Sequence, residues 1–293
     1  MPKAHENDIN DIDERTGYFT EKYKGKVKFA GMQHGLIKQV NGLINNTKPN
    51  PKKLFVIEGI WALQKAMRYN LYIESFAFCP ECIYTPESER IIDDYVEAAQ
   101  DSYIVSKKVF LKMSERENPD GLIAVCRLPH FTLKDIPLKD NNLVVILDGL
   151  EIPGNIGTII RSVDGVDGDG VILCNRKARL THPKLIKASQ GSNFTVPIIE
   201  CEMEETFKWL KENNFTIYLT DTRAQKGYYE ENYKGRIAIV AGSERYGISR
   251  EWYDKDVNMI SIPMYGDCDS LNVAIATTIV LYEVSLRLKG KVR

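Results

Sequence analysis

The sequence predicts an α/β fold in two domains, the second built on a mostly parallel sheet. Three observations carry this. The chain has 293 residues, a length suited to two domains at roughly 100–200 residues each. Short apolar runs alternate with segments of helical periodicity, the rhythm of βαβ units. The run Leu143–Leu147 is apolar at every position, as a parallel strand covered by helices on both faces must be.

The elements follow in order. Residues 1–30 read as an extension. Residues 31–130 form a first domain, in which Leu54–Ile57 is a buried strand. Glu58–Tyr69 is a helix, with Ile60, Leu63, Ala66 and Met67 spaced near 3.6 residues. Tyr72–Cys79, Tyr103–Val105 and Leu122–Cys126 are further strands, separated by helices over Ser88–Gln100 and Val109–Met113. Residues 131–142 hold Pro137 and a polar cluster and read as a linker. Residues 143–293 form the second domain. Its strands are Leu143–Leu147, Val171–Leu173, Thr216–Leu219, Ile237–Ala241 and a short extended Ile260–Ile262. Gly154–Val163 is a loop entering a helix, Pro183–Ala188 a helix, and Val273–Leu288 a long final helix. No fixed-period repeat is present.

Composition narrows the function classes. Hydrophobic residues make up 43% and charged residues 27%, which excludes a disordered chain. The formal net charge is −1, so the protein is not globally basic, although a local basic face is allowed. From Glu21 to Lys53 there are eight lysines and one acid. That run is either a solvated arm or a footprint for a polyanion such as RNA. The longest apolar stretch, Val273–Tyr282, is about half of what a bilayer span needs. The polar N-terminus lacks the apolar core of a secretory signal. Six scattered cysteines suit a reducing cytoplasm. Cys79 and Cys82 form a lone C-x-x-C without a second ligand pair, so two thiols near a strand end are favoured over a zinc or redox site. His5, His34, His130 and His182 show no ligand spacing, and no metal is expected.

Gly165, Gly168 and Gly170 do not make a dinucleotide fingerprint, and no Walker motif exists. Instead, three segments each follow a strand and combine glycine with polar residues. They are Glu151–Arg161, Ala241–Ser249, and Ile260–Met264 continued by Asp269–Val273. Ligands of open α/β sheets bind beyond the carboxyl ends of the strands. Converging there, these loops would supply backbone amides, Asn, Ser, Glu and Arg to one concave site.

In this order, N-x-G-x-x-x-R at Asn155–Arg161, G-S-E-x-x-G at Gly242–Gly247, and I-x-I-P-M followed by S-L-N-V resemble the three motifs of the SpoU/TrmH family. That family belongs to the SPOUT superfamily of S-adenosyl-L-methionine-dependent RNA methyltransferases. The resemblance spans about Leu143–Leu288. The first half is similar to the α/β substrate-binding module often joined to this family, which is shared with some ribosomal proteins. The resemblance implies a deep trefoil knot in the second domain, a homodimer, and an active site completed across two subunits. It places the cofactor against Gly242, Ile262, Met264 and Leu271, with Leu219 and Thr220 closing one side. For Ile262 and Leu271 the competing reading is core packing.

The implied reaction is attack of a ribose 2′-hydroxyl on the cofactor's methyl group. Arg161 is then a general base or, since guanidinium stays protonated, a holder of the adjacent phosphate. Its alternative is a surface ion pair. Asn155 positions Arg161 or serves as a turn residue. Glu244 anchors its loop or is a helix N-terminal charge. Ser270 and Asn272 contribute to the site or cap the final helix. The second motif departs from the family by carrying Arg245 and Tyr246 before Gly247, bulky residues that would narrow the pocket or reach towards RNA. Arg176–Arg179 with Lys184 and Lys187 forms a locally basic stretch, either a phosphate-contact surface or a solvated face. The resulting expectation is a cytoplasmic RNA 2′-O-methyltransferase without membrane or metal partners, with ribosomal RNA preferred over transfer RNA. A non-catalytic RNA-binding or assembly protein is the alternative.

Overall fold

The computed structural model describes residues 6–291, with side chains from residue 14 onward. The first five residues of the expected extension, His5 included, and the last two of the second domain lie outside the described residues. The chain divides into two compact units, Met1–Pro129 and His130–Arg293.

The first unit contains α1 (Glu6–Lys22), β1 (Val27–Phe29), α2 (Gly35–Ile44), β2 (Leu54–Glu58), α3 (Ile60–Arg68), β3 (Ile73–Phe78), α4 (Pro86–Ala98), β4 (Asp101–Ile104), α5 (Lys107–Phe110) and β5 (Leu122–Arg127). Its sheet has the order β1-β4-β3-β5-β2. β1, β4 and β3 are parallel, but β5 runs antiparallel to both β3 and β2. The sheet is therefore mixed.

Of the expected extension, the described residues from Glu6 onward include α1 and β1, and its end packs on the sheet. Phe19 and Tyr23 are buried, and both rings meet Phe78 edge-on, with centroids 5.4 and 6.1 Å apart. Much of the lysine run is paired within its own unit. Lys22 pairs with Asp93 at 2.7 Å, Lys28 with Asp101 at 2.7 Å and Lys52 with Glu74 at 3.1 Å. Lys26 meets Glu97, and Lys24 meets Glu21 at 3.3 Å. Most of these cations neutralise acids of their own unit. Cys79 and Cys82 lie just past β3 and are both buried. The hydrogen bond between them, helped by nearby Lys107, brings the Cys82 thiol down to about 7 against the effect of burial.

The second unit contains β6 (Asn142–Asp148), α6 (Pro153–Gly165), β7 (Gly170–Cys174), α7 (Pro183–Ser189), β8 (Ile198–Glu200), α8 (Met203–Glu212), β9 (Phe215–Thr220), β10 (Arg236–Gly242), α9 (Arg250–Tyr253), β11 (Asn258–Ile260) and α10 (Val273–Leu288). Its sheet has the order β11-β9-β10-β6-β7-β8, with every neighbouring pair parallel. One face buries Val144, Ile146, Ile172, Leu219, Ala238 and Val240. The expected linker is anchored to this unit, because Ile136 is buried in the same cluster. The side chain of Asn142 also donates to Pro137 O at 2.7 Å.

Two boundaries move in ways that matter for the site. The first motif is not a loop but the start of α6, which opens at Pro153, where a missing N–H costs nothing. The short extended stretch ends at Ile260 instead of Ile262. Ser261 turns aside to pair with residue 227, its N donating to Lys226 O and its O accepting from Tyr228 N, both at 2.9 Å. Ile262 is thereby released from the sheet.

Candidate active site

The carboxyl ends of β6, β10, β9 and β11 lie in register. Asp148 sits beside Gly242, and Thr220 beside Ile260. Beyond them opens a cavity of about 840 Å³, within the range of small-molecule sites. Of the expected cofactor residues, Thr220, Gly242, Ile262, Met264 and Leu271 line it. Leu219 does not. Strand alternation turns it into the core, where it is fully buried. Glu244, Ser270 and Asn272 also line the cavity.

Backbone shape explains the second motif. Ser243 and Gly247 exchange two backbone hydrogen bonds, N to O at 3.0 Å and back at 2.9 Å. This tight loop folds onto Gly242 so closely that a Cβ there would stand 2.3 Å from Gly247 C and from Ile248 N. Only glycine fits. Gly247 itself has φ of +71°, a left-handed conformation that side chains disfavour. Ser243 Oγ accepts from Arg245 N and Tyr246 N, both at 3.3 Å. Tyr246 lines the cavity and is 70% exposed, and the Arg245 guanidinium lies 5.1 Å from its ring centroid.

The three motifs are joined by side chains far apart in sequence. Asn155 Nδ2 donates to Glu244 Oε1 at 2.6 Å. Asn272 Nδ2 donates to Asn155 Oδ1 at 3.3 Å, while its Oδ1 accepts from Ala274 N at 2.9 Å and caps α10. Asn272 thus caps the helix and reaches the first motif at once. Ser270 Oγ donates to Asp269 Oδ1 at 3.3 Å. Asn155 is helical, in the first turn of α6, and so is not a turn residue. Arg161, later on α6, is exposed, lies apart from the cavity lining, and has no hydrogen bond or ion pair among the described residues. The surface ion pair considered for it is absent among those residues.

Several residues of the site escape a reading of the sequence. Asp148 is buried at the end of β6. Its Oδ1 accepts from Asn175 Nδ2 and its Oδ2 from Ser249 N, both at 2.7 Å. It ties the end of β6 to the end of the second motif and to Asn175, just before the basic stretch. Within that stretch Arg176 is held by Glu200 at 3.1 Å. Asp221, Arg223 and Tyr253 form a further group on the cavity wall. The Asp221 carboxyl is held well below the usual range, chiefly by Arg223, with help from the Tyr253 phenol. Asp221–Arg223 carry the same sign as the motifs, polar residues directly after a strand, but no glycine draws attention to them.

The cavity suits S-adenosyl-L-methionine. Its described lining carries three carboxylates, Asp221, Glu244 and Asp269, and one cation, Arg223. That balance suits a ligand bearing a sulfonium and an ammonium with one carboxylate. The released Ile262 with Met264 and Leu271 adds apolar surface to the lining. Among the described residues no group of three His, Cys, Asp or Glu side chains is placed to hold a metal, and no helix is long and apolar enough to cross a membrane.

Comparison with known proteins agrees with this geometry. Residues 142–282 match the SpoU rRNA Methylase family, and residues 35–124 match the MRM3-like substrate binding domain. The chain is 27% identical over 230 residues to the 23S rRNA (guanosine(2553)-2′-O)-methyltransferase RlmP of Bacillus subtilis, covering 78% of this chain and 88% of the relative. It is 35% identical over 203 residues to a putative TrmH family tRNA/rRNA methyltransferase of Staphylococcus aureus, covering 66% of this chain and 82% of that one. The crystal structure of an AdoMet-bound rRNA methyltransferase from Sinorhizobium meliloti superposes with a TM-score of 0.81 at 26% identity, over 90% of this chain and 98% of the other. Three motifs meeting at one cavity, together with these relatives, place the chain in the SpoU/TrmH family of RNA methyltransferases.

Proposed function

We propose that this protein transfers a methyl group from S-adenosyl-L-methionine to a ribose 2′-hydroxyl of ribosomal RNA. The observation that carries this reading is the Asn155–Glu244 and Asn155–Asn272 hydrogen bonding, which draws all three motifs to the mouth of one cavity. A ribosomal target is favoured over transfer RNA by the 23S rRNA relative and by the match to a substrate-binding domain. The presence of the whole polar set argues against a merely structural RNA-binding role.

When bound, S-adenosyl-L-methionine supplies an electrophilic methyl. Gly242, Ile262 and Leu271 hold its adenosyl portion, Gly242 through the close backbone approach that a side chain would block. Asn155, oriented by Glu244 and Asn272, sets the position of α6 against the cavity. Arg161, exposed and without a partner among the described residues, would take a phosphate or the 2′-oxygen in a partner's site. A homodimer is supported by α10, where Ile275, Tyr282 and Leu286 form an exposed apolar stripe, 54%, 47% and 38% accessible. In the knotted path that we infer, α10 returns the chain beyond β11 to lie against α6 and β10. The first unit would hold RNA. Its exposed aromatics pair with cations, as at Trp61 with Lys65 and Tyr72 with Arg127. Six free cysteines fit a reducing cytoplasm.

The test is tritium transfer from labelled S-adenosyl-L-methionine to total ribosomal RNA and, separately, to total transfer RNA. Label in the ribosomal pool that disappears with Arg161→Ala is the expected result. Label only in transfer RNA would overturn the substrate assignment, and absence of cofactor binding would overturn the site.

A further inference from the structure

Arg223 differs from the other polar residues of the cavity. Among the described lining residues it is the one cation, set against Asp221, Glu244 and Asp269. It is also held in place. Its Nε and Nη2 donate to Asp221 Oδ1 and Oδ2 at 3.0 and 2.7 Å, and its backbone N donates to Asp221 Oδ1 at 2.8 Å. Nη2 also reaches Tyr253 Oη at 3.3 Å, and the guanidinium sits 5.6 Å from the centroid of that ring. Tyr253 Oη donates in turn to Asp221 Oδ2. Asp221 is nearly enclosed, with 7% of its side chain exposed, while the Arg223 side chain is 76% exposed.

This arrangement has a chemical direction. Asp221 is saturated by Arg223 and Tyr253 and offers little to an incoming cation. Arg223 is fixed along one edge, while Nη1 has no partner among the described residues. A guanidinium fixed in this way has lost its rotamer freedom before any ligand arrives, and planar donors favour a carboxylate. S-adenosyl-L-methionine has one anionic group, the carboxylate of its amino-acid tail. In a cavity bearing three carboxylates that group is repelled everywhere except near Arg223.

On the reading of the cavity as the cofactor site, we infer that Arg223, braced by Asp221 and Tyr253, receives the amino-acid carboxylate of S-adenosyl-L-methionine and sets the preference for the intact cofactor over analogues lacking it. Arg223 is a specificity residue that binds the end of the cofactor opposite the adenine. Tyr253 and Asp221 act through it as positioning residues.

The experiment is calorimetric binding to the full chain of two probes that differ only in that group, S-adenosyl-L-methionine and its decarboxylated form. The wild-type protein is expected to bind the intact cofactor about tenfold more tightly, the effect of one charge-assisted contact at a partly solvated site. Arg223→Gln should lose that preference and bind both compounds as the wild type binds the decarboxylated one. Arg223→Lys should retain part of it. Equal binding of both compounds by the wild type, a measurement that needs no substitution, overturns the inference. So does a preference that persists in Arg223→Gln, or an equal loss of affinity for both compounds. Unchanged cofactor binding with weakened RNA binding in Arg223→Gln overturns it in favour of a phosphate contact. Failure of the wild type to bind S-adenosyl-L-methionine at all overturns the cofactor-site reading itself, a result separable from the others.

Discussion

The two units use polar side chains in opposite ways. In the first, long-range pairs such as Lys26–Glu97 and Lys28–Asp101 link residues 71 and 73 positions apart along exposed edges. They fasten the segment after α1 to the acids around α4 and β4. In the second, Asn155–Glu244 and Asn272–Asn155 span 89 and 117 positions and gather at the carboxyl ends of parallel strands. Sequence separation alone does not mark a functional pair. Convergence on a concavity does, because there the groups meet a ligand instead of bulk water.

Substitutions on the two sides of this contrast should separate cleanly. The largest effect belongs to the converging set. Asn155→Ala should lower the methyl-transfer rate by about 10²-fold through misplacement of α6, with cofactor affinity, measured by calorimetry, little changed. Next, Asp148→Ala removes a buried acceptor shared by two loops, and urea denaturation should show a loss of about 3 kcal/mol. On the proposed dimer, Tyr282→Asp should leave the protein folded by circular dichroism but shift it to a monomer in analytical ultracentrifugation, with loss of transfer. Asn272→Ala sharpens the comparison, since it should both destabilise by about 1 kcal/mol, the cost of a lost N-cap, and reduce transfer. The smallest effect belongs to the first unit. Lys28→Ala breaks an exposed pair and should change stability by less than about 0.5 kcal/mol and transfer not at all.

What could be read from sequence followed from local signals. Leu143–Leu147 and Ile237–Ala241 announce buried parallel strands because nothing polar interrupts them. The three motifs were visible because glycine and polar residues follow strands at fixed spacings. α1 was not visible. Its stretch is rich in acids and amides, and among the described side chains Phe19 and Tyr23 reveal a buried face, through rings that meet Phe78 almost sixty residues later. The Asp221–Arg223–Tyr253 group stayed hidden because its third member comes from α9, 32 positions beyond Asp221. The misplacement of β11 has a similar origin. Ile260 and Ile262 look alike in a pattern, and only the bridge at Ser261 tells them apart.

The role of Asn272 has a consequence for the order in which the protein matures. Chains fold from the N-terminus as they leave the ribosome. Strands β6, β7, β9 and β10 are complete by Gly242, and the Asn155–Glu244 contact becomes available two residues later. The residue that caps α10 and reaches back to Asn155 is added only afterwards. A nascent chain therefore holds a finished first unit and most of the second sheet before it holds the residue that joins the third motif to the first. The joining of the three motifs comes late in synthesis, with the last of them to be made.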